Sequence, residues 1–120
     1  MKEIRLGAIE SRFADIVWEH APLATSELIR LCEAEFDWKR TTTYTVLKRL
    51  SERGIFKNDN GTVTVLISRD EFYSMQSEKV VNESFGGSLP AFVAAFTSRQ
   101  SLSEDEIAQI RAIIENMKRG

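Results

Sequence analysis

Cysteine, histidine and proline are nearly missing from this chain, and each scarcity removes a class of function. Cys32 is the only cysteine among 120 residues, so no intrachain disulfide and no cysteine-cluster metal site can form. Set in a helical pattern, Cys32 reads as a small core residue. His20 is the only histidine; it stands beside Pro22 at a helix end, where a surface or capping role is expected rather than catalysis. No apolar run approaches the roughly 20 residues that span a bilayer, and "MKEIRLGAIESRF" lacks the apolar centre of a secretory signal. The chain is therefore expected to be cytoplasmic and not inserted in a membrane. Gly86-Gly87 has neither the strand nor the lysine of a phosphate-binding loop. The acidic groups Glu33/Glu35/Asp37 and Glu104/Asp105/Glu106 fall at helix ends, where carboxylates are solvated or capping. No enzyme, cofactor or metal is expected.

A surplus of positive charge is also lacking: the formal net charge is −2. Its distribution is uneven, however. Between Trp38 and Asn58 lie Lys39, Arg40, Lys48, Arg49, Arg53 and Lys57 against Glu52 alone, a local charge of +5. Phosphates respond to a patch, not to the total.

The apolar spacing Leu6, Ile9, Phe13, Ile16, Val17 predicts an amphipathic helix that stops before "EHAP". "LATSELIRLCEAEF" predicts a second helix with Thr25 as N-cap and Leu28, Leu31, Cys32 and Phe36 on one face. After a break at "DWK", "RTTTYTVLKRLSERG" predicts a third, with Thr43, Leu47 and Leu50 inward and Gly54 as the left-handed closing residue. Asn60-Gly61 signals a two-residue hairpin between 55–58 and 62–67. Three helices followed by a hairpin is the order of a winged helix-turn-helix. Beyond it, Ser68/Glu71 and Ser103/Glu106 have the capping-box pattern, and Ser88 can cap a short helix containing Pro90. The expected fold is mainly α with a small β-hairpin: a winged helix-turn-helix domain over 1–67 and a three-helix C-terminal dimerisation region over 68–120.

Three threonines make a poor start for a free helix but a good one for a helix lying in a groove. Short polar side chains at Thr41, Thr42 and Thr45 let the backbone approach, and longer cations at Lys39, Arg40, Lys48 and Arg49 reach phosphates. Threonine can donate to a phosphate or base edge, and its methyl can meet the thymine methyl. Thr43 points inward, so its hydroxyl must find a partner such as a carbonyl one turn earlier. Lys57, Asn60 and Thr62 near the hairpin tip can touch the nucleic-acid backbone. The alternative is a winged-helix protein-interaction module without DNA function, whose Thr/Lys/Arg face is merely solvated. In the C-terminal part, Ile107, Ile110, Ile114 and Met117 form a stripe that either packs on the chain's own helices or meets a second copy.

Four segments together, "AIESRFADIVWEHAPLATSELI", "WKRTTTYTVLKRLSERGI", the "NDNG" wing and "FGGSLPAFVAAF" before a final amphipathic helix, give the chain a resemblance over nearly its whole length. It resembles the penicillinase and methicillin-resistance repressor family (BlaI/MecI/CopY type). That resemblance implies a homodimeric repressor on a palindromic operator in double-stranded DNA, with Thr41, Thr42, Thr45 and Arg49 as contact residues of the recognition helix. It also implies dimerisation through the C-terminal helices, placing Phe92, Phe96 and Leu102 with the isoleucine stripe. Relatives controlling β-lactam resistance are cut at an Asn-Phe bond under a membrane sensor; the similar position here is Ala95-Phe96, so the cleavage signal is only half kept. The paired cysteines of copper-responsive relatives are missing. A sensor protease or antirepressor partner is not identified by the residues.

Overall fold

The computed structural model describes residues 6–119; part of the N-terminal stretch considered above as a secretory signal, residues 1–5, lies outside the described residues. The elements run α1 (Ala8–His20), β1 (Leu23–Ala24), α2 (Thr25–Phe36), α3 (Arg40–Glu52), β2 (Phe56–Asp59), β3 (Thr62–Val65), α4 (Arg69–Ser84), α5 (Leu89–Thr97) and α6 (Glu104–Arg119). Three helices and a wing followed by helices is the winged helix-turn-helix with a helical C-terminal region. No described helix is long and apolar enough to cross a membrane. The chain divides into two compact units, Met1–Glu78 and Lys79–Gly120.

The first unit is built on one core. Phe13, Val17, Leu28, Cys32, Leu50, Phe56 and Val63 are fully buried, with Leu47 and Phe72 nearly so. Sequence spacing placed most of these correctly, but Ile9 is 48% exposed. It sits in the first turn of α1, ahead of the turns that meet the core. α1 also runs through Glu19 and His20 to end at Ala21, because a proline restricts the residue before it, and α1 need only stop there.

Thr25 is not the N-cap of α2. Ala24 holds that place and makes no side-chain cap bond. The reason is a strand the sequence did not signal: β1 pairs antiparallel with β3, Ala24 opposite Thr62. The Thr25 N–H donates to the Gly61 carbonyl at 2.9 Å, so the sheet supplies the cap. The sheet order is β1-β3-β2. Asp59 faces Thr62 across the hairpin, and Asn60 and Gly61 take φ of 52° and 88°, as a type I′ turn requires. The second hairpin strand is shorter than expected, and the first is shifted one residue along the chain. Ile55 lies outside β2, and its carbonyl accepts from Leu66 and Ile67 instead, at 2.9 and 3.2 Å.

Between α2 and α3, Asp37 adopts the left-handed conformation and its N–H returns to α2, a three-residue turn that sets the angle of α3. α3 closes with Gly54 at φ 80°; its N–H donates to Ser51 and that of Ile55 to Leu50, at 3.0 and 3.1 Å. This double closure needs a left-handed residue at 54. Gly54→Ala is expected to cost about 1–2 kcal/mol, read as a lower denaturation midpoint with an unchanged slope; an unchanged midpoint would show that the closure is dispensable.

α4 opens with the expected capping box, Ser68 and Glu71 exchanging bonds of 3.1 and 3.2 Å. Its first turns belong to the first unit, where Phe72 and Tyr73 pack around Trp18. In the second unit, Ser88 caps α5 by accepting from the Ala91 N–H at 3.1 Å, and Ser103 and Glu106 box α6. Both caps match the sequence reading.

Candidate nucleic-acid interface

α3 turns Thr43, Val46, Leu47 and Leu50 into the core. At about 100° per residue, this leaves Thr41, Thr45 and Lys48 in a line opposite the core. Thr42 and Arg49 fall on one flank, Arg40 and Tyr44 on the other, and all seven are exposed. Lys39 is the N-cap, without a side-chain cap bond, and no acidic residue sits in the first turn. The positive end of the helix dipole thus coincides with two cations, Lys39 and Arg40, and nothing in that turn offsets it.

Two hydroxyls behave differently from the sequence expectation. The Thr43 hydroxyl does not back-bond to a carbonyl one turn earlier; it lies against the Cys32 thiol of α2 instead. The adjoining Cys32 thiol is pushed up to about 11 by burial, which the Thr43 hydroxyl partly opposes. Cys32 is therefore a protonated core residue at neutral pH. It is the exposed Thr45 that back-bonds, donating to the Thr41 carbonyl at 2.9 Å. That spends its one proton and leaves its methyl and lone pairs for a ligand.

Arg40 lies over the Tyr44 ring at 5.6 Å, a cation–π pair at i,i+4 spacing. The Thr25 hydroxyl and the Arg40 guanidinium hold the Tyr44 phenol below its usual range. Tyr44 was not singled out from sequence, although its four-residue spacing from Arg40 was a usable signal.

Arg49 makes a contact no sequence window contains. Its Nη1 donates to Glu10 Oε2 of α1 at 3.0 Å, and Arg53 Nη1 lies 3.9 Å from Glu10 Oε1. Partial burial pushes the Glu10 carboxyl upward, but the Arg49 bond, the Gly7 N–H and the charges of Arg49 and Arg53 outweigh it and hold it below its ordinary value. With Glu10 included, the local charge falls from +5 to +4.

On the hairpin, Lys57, Asn60 and Thr62 are all exposed. The tip is stiffened by Asn58 Oδ1, which accepts from the Gly61 N–H at 3.1 Å. Lys57 and Lys48 line one cleft of about 500 Å³, floored by Tyr44, Leu47, Phe56 and Leu66. The structure therefore brings α3 and the wing's first strand together, while Asn60 and Thr62 sit at the tip beside the start of α2.

The second unit shows a different surface. Phe92 is half-buried against Phe85, ring centroids 5.4 Å apart, and Leu102 and Ile107 are also half-buried. Phe96, Ile110, Ile114 and Met117 are 49%, 40%, 47% and 75% exposed. Leu89, Val93 and Ile113 are exposed as well. α5 has no buried residue. The Ala95-Phe96 bond lies inside α5, where the Ala95 carbonyl accepts from the Ser98 hydroxyl at 2.8 Å.

The sequence profile of the penicillinase repressor family matches residues 6–116. The chain is 27% identical to the penicillinase repressor of Bacillus licheniformis, over 98% of this chain and 96% of that one. It is 25% identical to the methicillin resistance regulatory protein MecI of Staphylococcus aureus, over 94% and 95%. It is 24% identical to the MecI protein of Mammaliicoccus sciuri over the same shares.

Proposed function

Because the chain belongs to the penicillinase repressor family, we propose that it is a transcriptional repressor that binds a palindromic operator as a homodimer. The observation that carries this reading is the outward line Thr41, Thr45 and Lys48 on α3, with Arg40 and Arg49 on its flanks and Lys39 at its start. A helix whose backbone is veiled only by short side chains fits the major groove, and cations at its edges reach the two phosphate rows. Thr41 and Thr42 offer hydroxyls, Thr45 its methyl, and Lys57, Asn60 and Thr62 of the wing the flanking backbone contacts. The relatives' names, a penicillinase repressor and a methicillin resistance regulatory protein, agree with repression.

Dimerisation is supported by the uncovered apolar side chains of α5 and α6. A second copy joined through Phe96, Ile110, Ile114 and Met117, with Phe92, Leu102 and Ile107 behind them, buries that surface. It also presents two copies of α3 to a two-fold site. Repression then follows by occupying the promoter. Cleavage at Ala95-Phe96 requires local opening of α5, so we assign induction to no particular sensor protease or antirepressor.

The test is selection from a random-sequence duplex pool, followed by fluorescence anisotropy of the recovered duplex and of a mixed-sequence duplex at two salt concentrations. An inverted repeat binding two protomers about 1,000-fold more tightly than mixed sequence is expected. No enrichment, and no binding even at low salt, would leave a protein-docking module instead. In the same assay, Lys48→Ala is expected to weaken all duplexes about equally and to flatten the salt slope by about one unit per protomer. An unaltered slope would remove Lys48 from the phosphate contacts.

A further inference from the structure

We infer that Glu10 is a positioning residue: it holds the Arg49 guanidinium on the flank of α3, so that the remaining donors meet a nucleic-acid phosphate already ordered. The inference rests on the DNA-binding reading above and adds to it a residue outside the helix-turn-helix pair and the wing.

Glu10 is the third residue of α1, and its carboxylate is anchored by that helix's own first turn. Oε1 accepts from the Gly7 N–H at 3.3 Å and faces Arg53 Nη1 at 3.9 Å. Oε2 accepts from Arg49 Nη1 at 3.0 Å. The Glu10 side chain is 19% exposed and that of Arg49 54%. The carboxylate is thus the fixed partner and the arginine the one being held. A guanidinium carries five N–H donors in a rigid fork, and a single Nη1 contact leaves the outer edge of that fork facing solvent.

A phosphate contact made by a free arginine must first freeze a long side chain. Here that ordering is already done in the unbound protein. A carboxylate near DNA would ordinarily repel it. Arg49 and Arg53 together outnumber Glu10, however, so the three-residue cluster presents a net positive charge while keeping its geometry. Arg49 also sits one turn before the end of α3, on the side away from Tyr44 and the wing. Glu10 therefore fixes a contact that neither the threonine line nor the hairpin supplies.

The experiment is a double-mutant cycle on the full chain: the unaltered protein, Glu10→Ala, Arg49→Ala and the double variant. Each is measured by anisotropy on a mixed-sequence duplex at low salt, since a phosphate contact does not depend on sequence, and each is melted without DNA. Glu10→Ala is expected to weaken binding by about tenfold in the unaltered background and by less than about twofold beside Arg49→Ala. Glu10→Gln, which keeps one acceptor oxygen for Arg49 but sets an amide NH2 where the second carboxylate oxygen stood, is expected to recover part of the loss. An equal loss in both backgrounds would overturn the inference and make Glu10 a purely structural residue. Tighter binding by Glu10→Ala would also overturn it, making Glu10 a competitor for Arg49. If the unaltered protein ignores every duplex, the DNA-binding reading falls and this inference falls with it, a result distinct from the other two.

Discussion

Replacing Ile110 and Ile114 together with aspartate is expected to yield a monomer and to weaken binding to a two-fold-symmetric duplex by about 100-fold or more. Both side chains are already 40% and 47% exposed within one chain, so the change removes little packing inside the protomer. Across a two-fold axis it would set four carboxylates in an apolar seam, where unpaired charges are strongly unfavourable. The second unit, Lys79–Gly120, is near the roughly 40-residue size at which a chain needs oligomerisation or another staple to hold a core. Linking two reading helices makes the second contact intramolecular, and that advantage is what the monomer loses. Sedimentation equilibrium reads the assembly state and anisotropy the affinity. A double variant that remains dimeric would show that the isoleucine stripe is not the seam. One that becomes monomeric yet binds the inverted repeat unchanged would separate dimerisation from DNA binding.

Phe72→Ala is expected to destabilise the first unit by about 3–5 kcal/mol. The ring is 1% exposed and lies 5.8 Å from Trp18 and 5.4 Å from Tyr73. Trp18 in turn donates its indole N–H to the Ile67 carbonyl at 3.0 Å, and its ring also meets Phe56 at 5.6 Å. Emptying the Phe72 position therefore opens a cavity where α1, the end of the wing and the start of α4 converge. Such a loss is a large fraction of the 5–15 kcal/mol that holds a typical domain together. Urea unfolding checks it: a loss below about 1 kcal/mol would mean that neighbouring rings collapse into the space.

Elements announced by strong local chemistry were legible in the sequence. The capping residues Ser68, Ser88 and Ser103, the closing Gly54 and the Asn60-Gly61 turn each impose their geometry within a few residues, and the structure has all of them. What escaped was non-local. β1 is two residues long and exists only because β3 offers it a partner; that same pairing displaced the expected cap from Thr25. The second hairpin strand stops short and the first begins one residue late, because the Ile55 carbonyl is taken by residues after β3, not by the ladder. The inward Thr43 could be read from periodicity, but its setting against the Cys32 thiol of α2 could not. In the candidate interface, the cations of α3 were visible as a cluster, whereas the Glu10–Arg49 pair joins residues 39 apart. Nothing in either local segment signals it.

The aromatic cluster around Trp18 has a spectroscopic consequence. Trp18 and Trp38 are the chain's two tryptophans, and Tyr44 and Tyr73 its two tyrosines; all four fall within Met1–Glu78. Trp38 stacks near Phe36 and Phe13, and Trp18 is ringed by Phe56, Phe72 and Tyr73. Indole emission is consequently an optical gauge of the winged-helix unit alone. The C-terminal helices, whose aromatic residues are phenylalanines, are dark in that channel and are followed only through the ellipticity of their backbone.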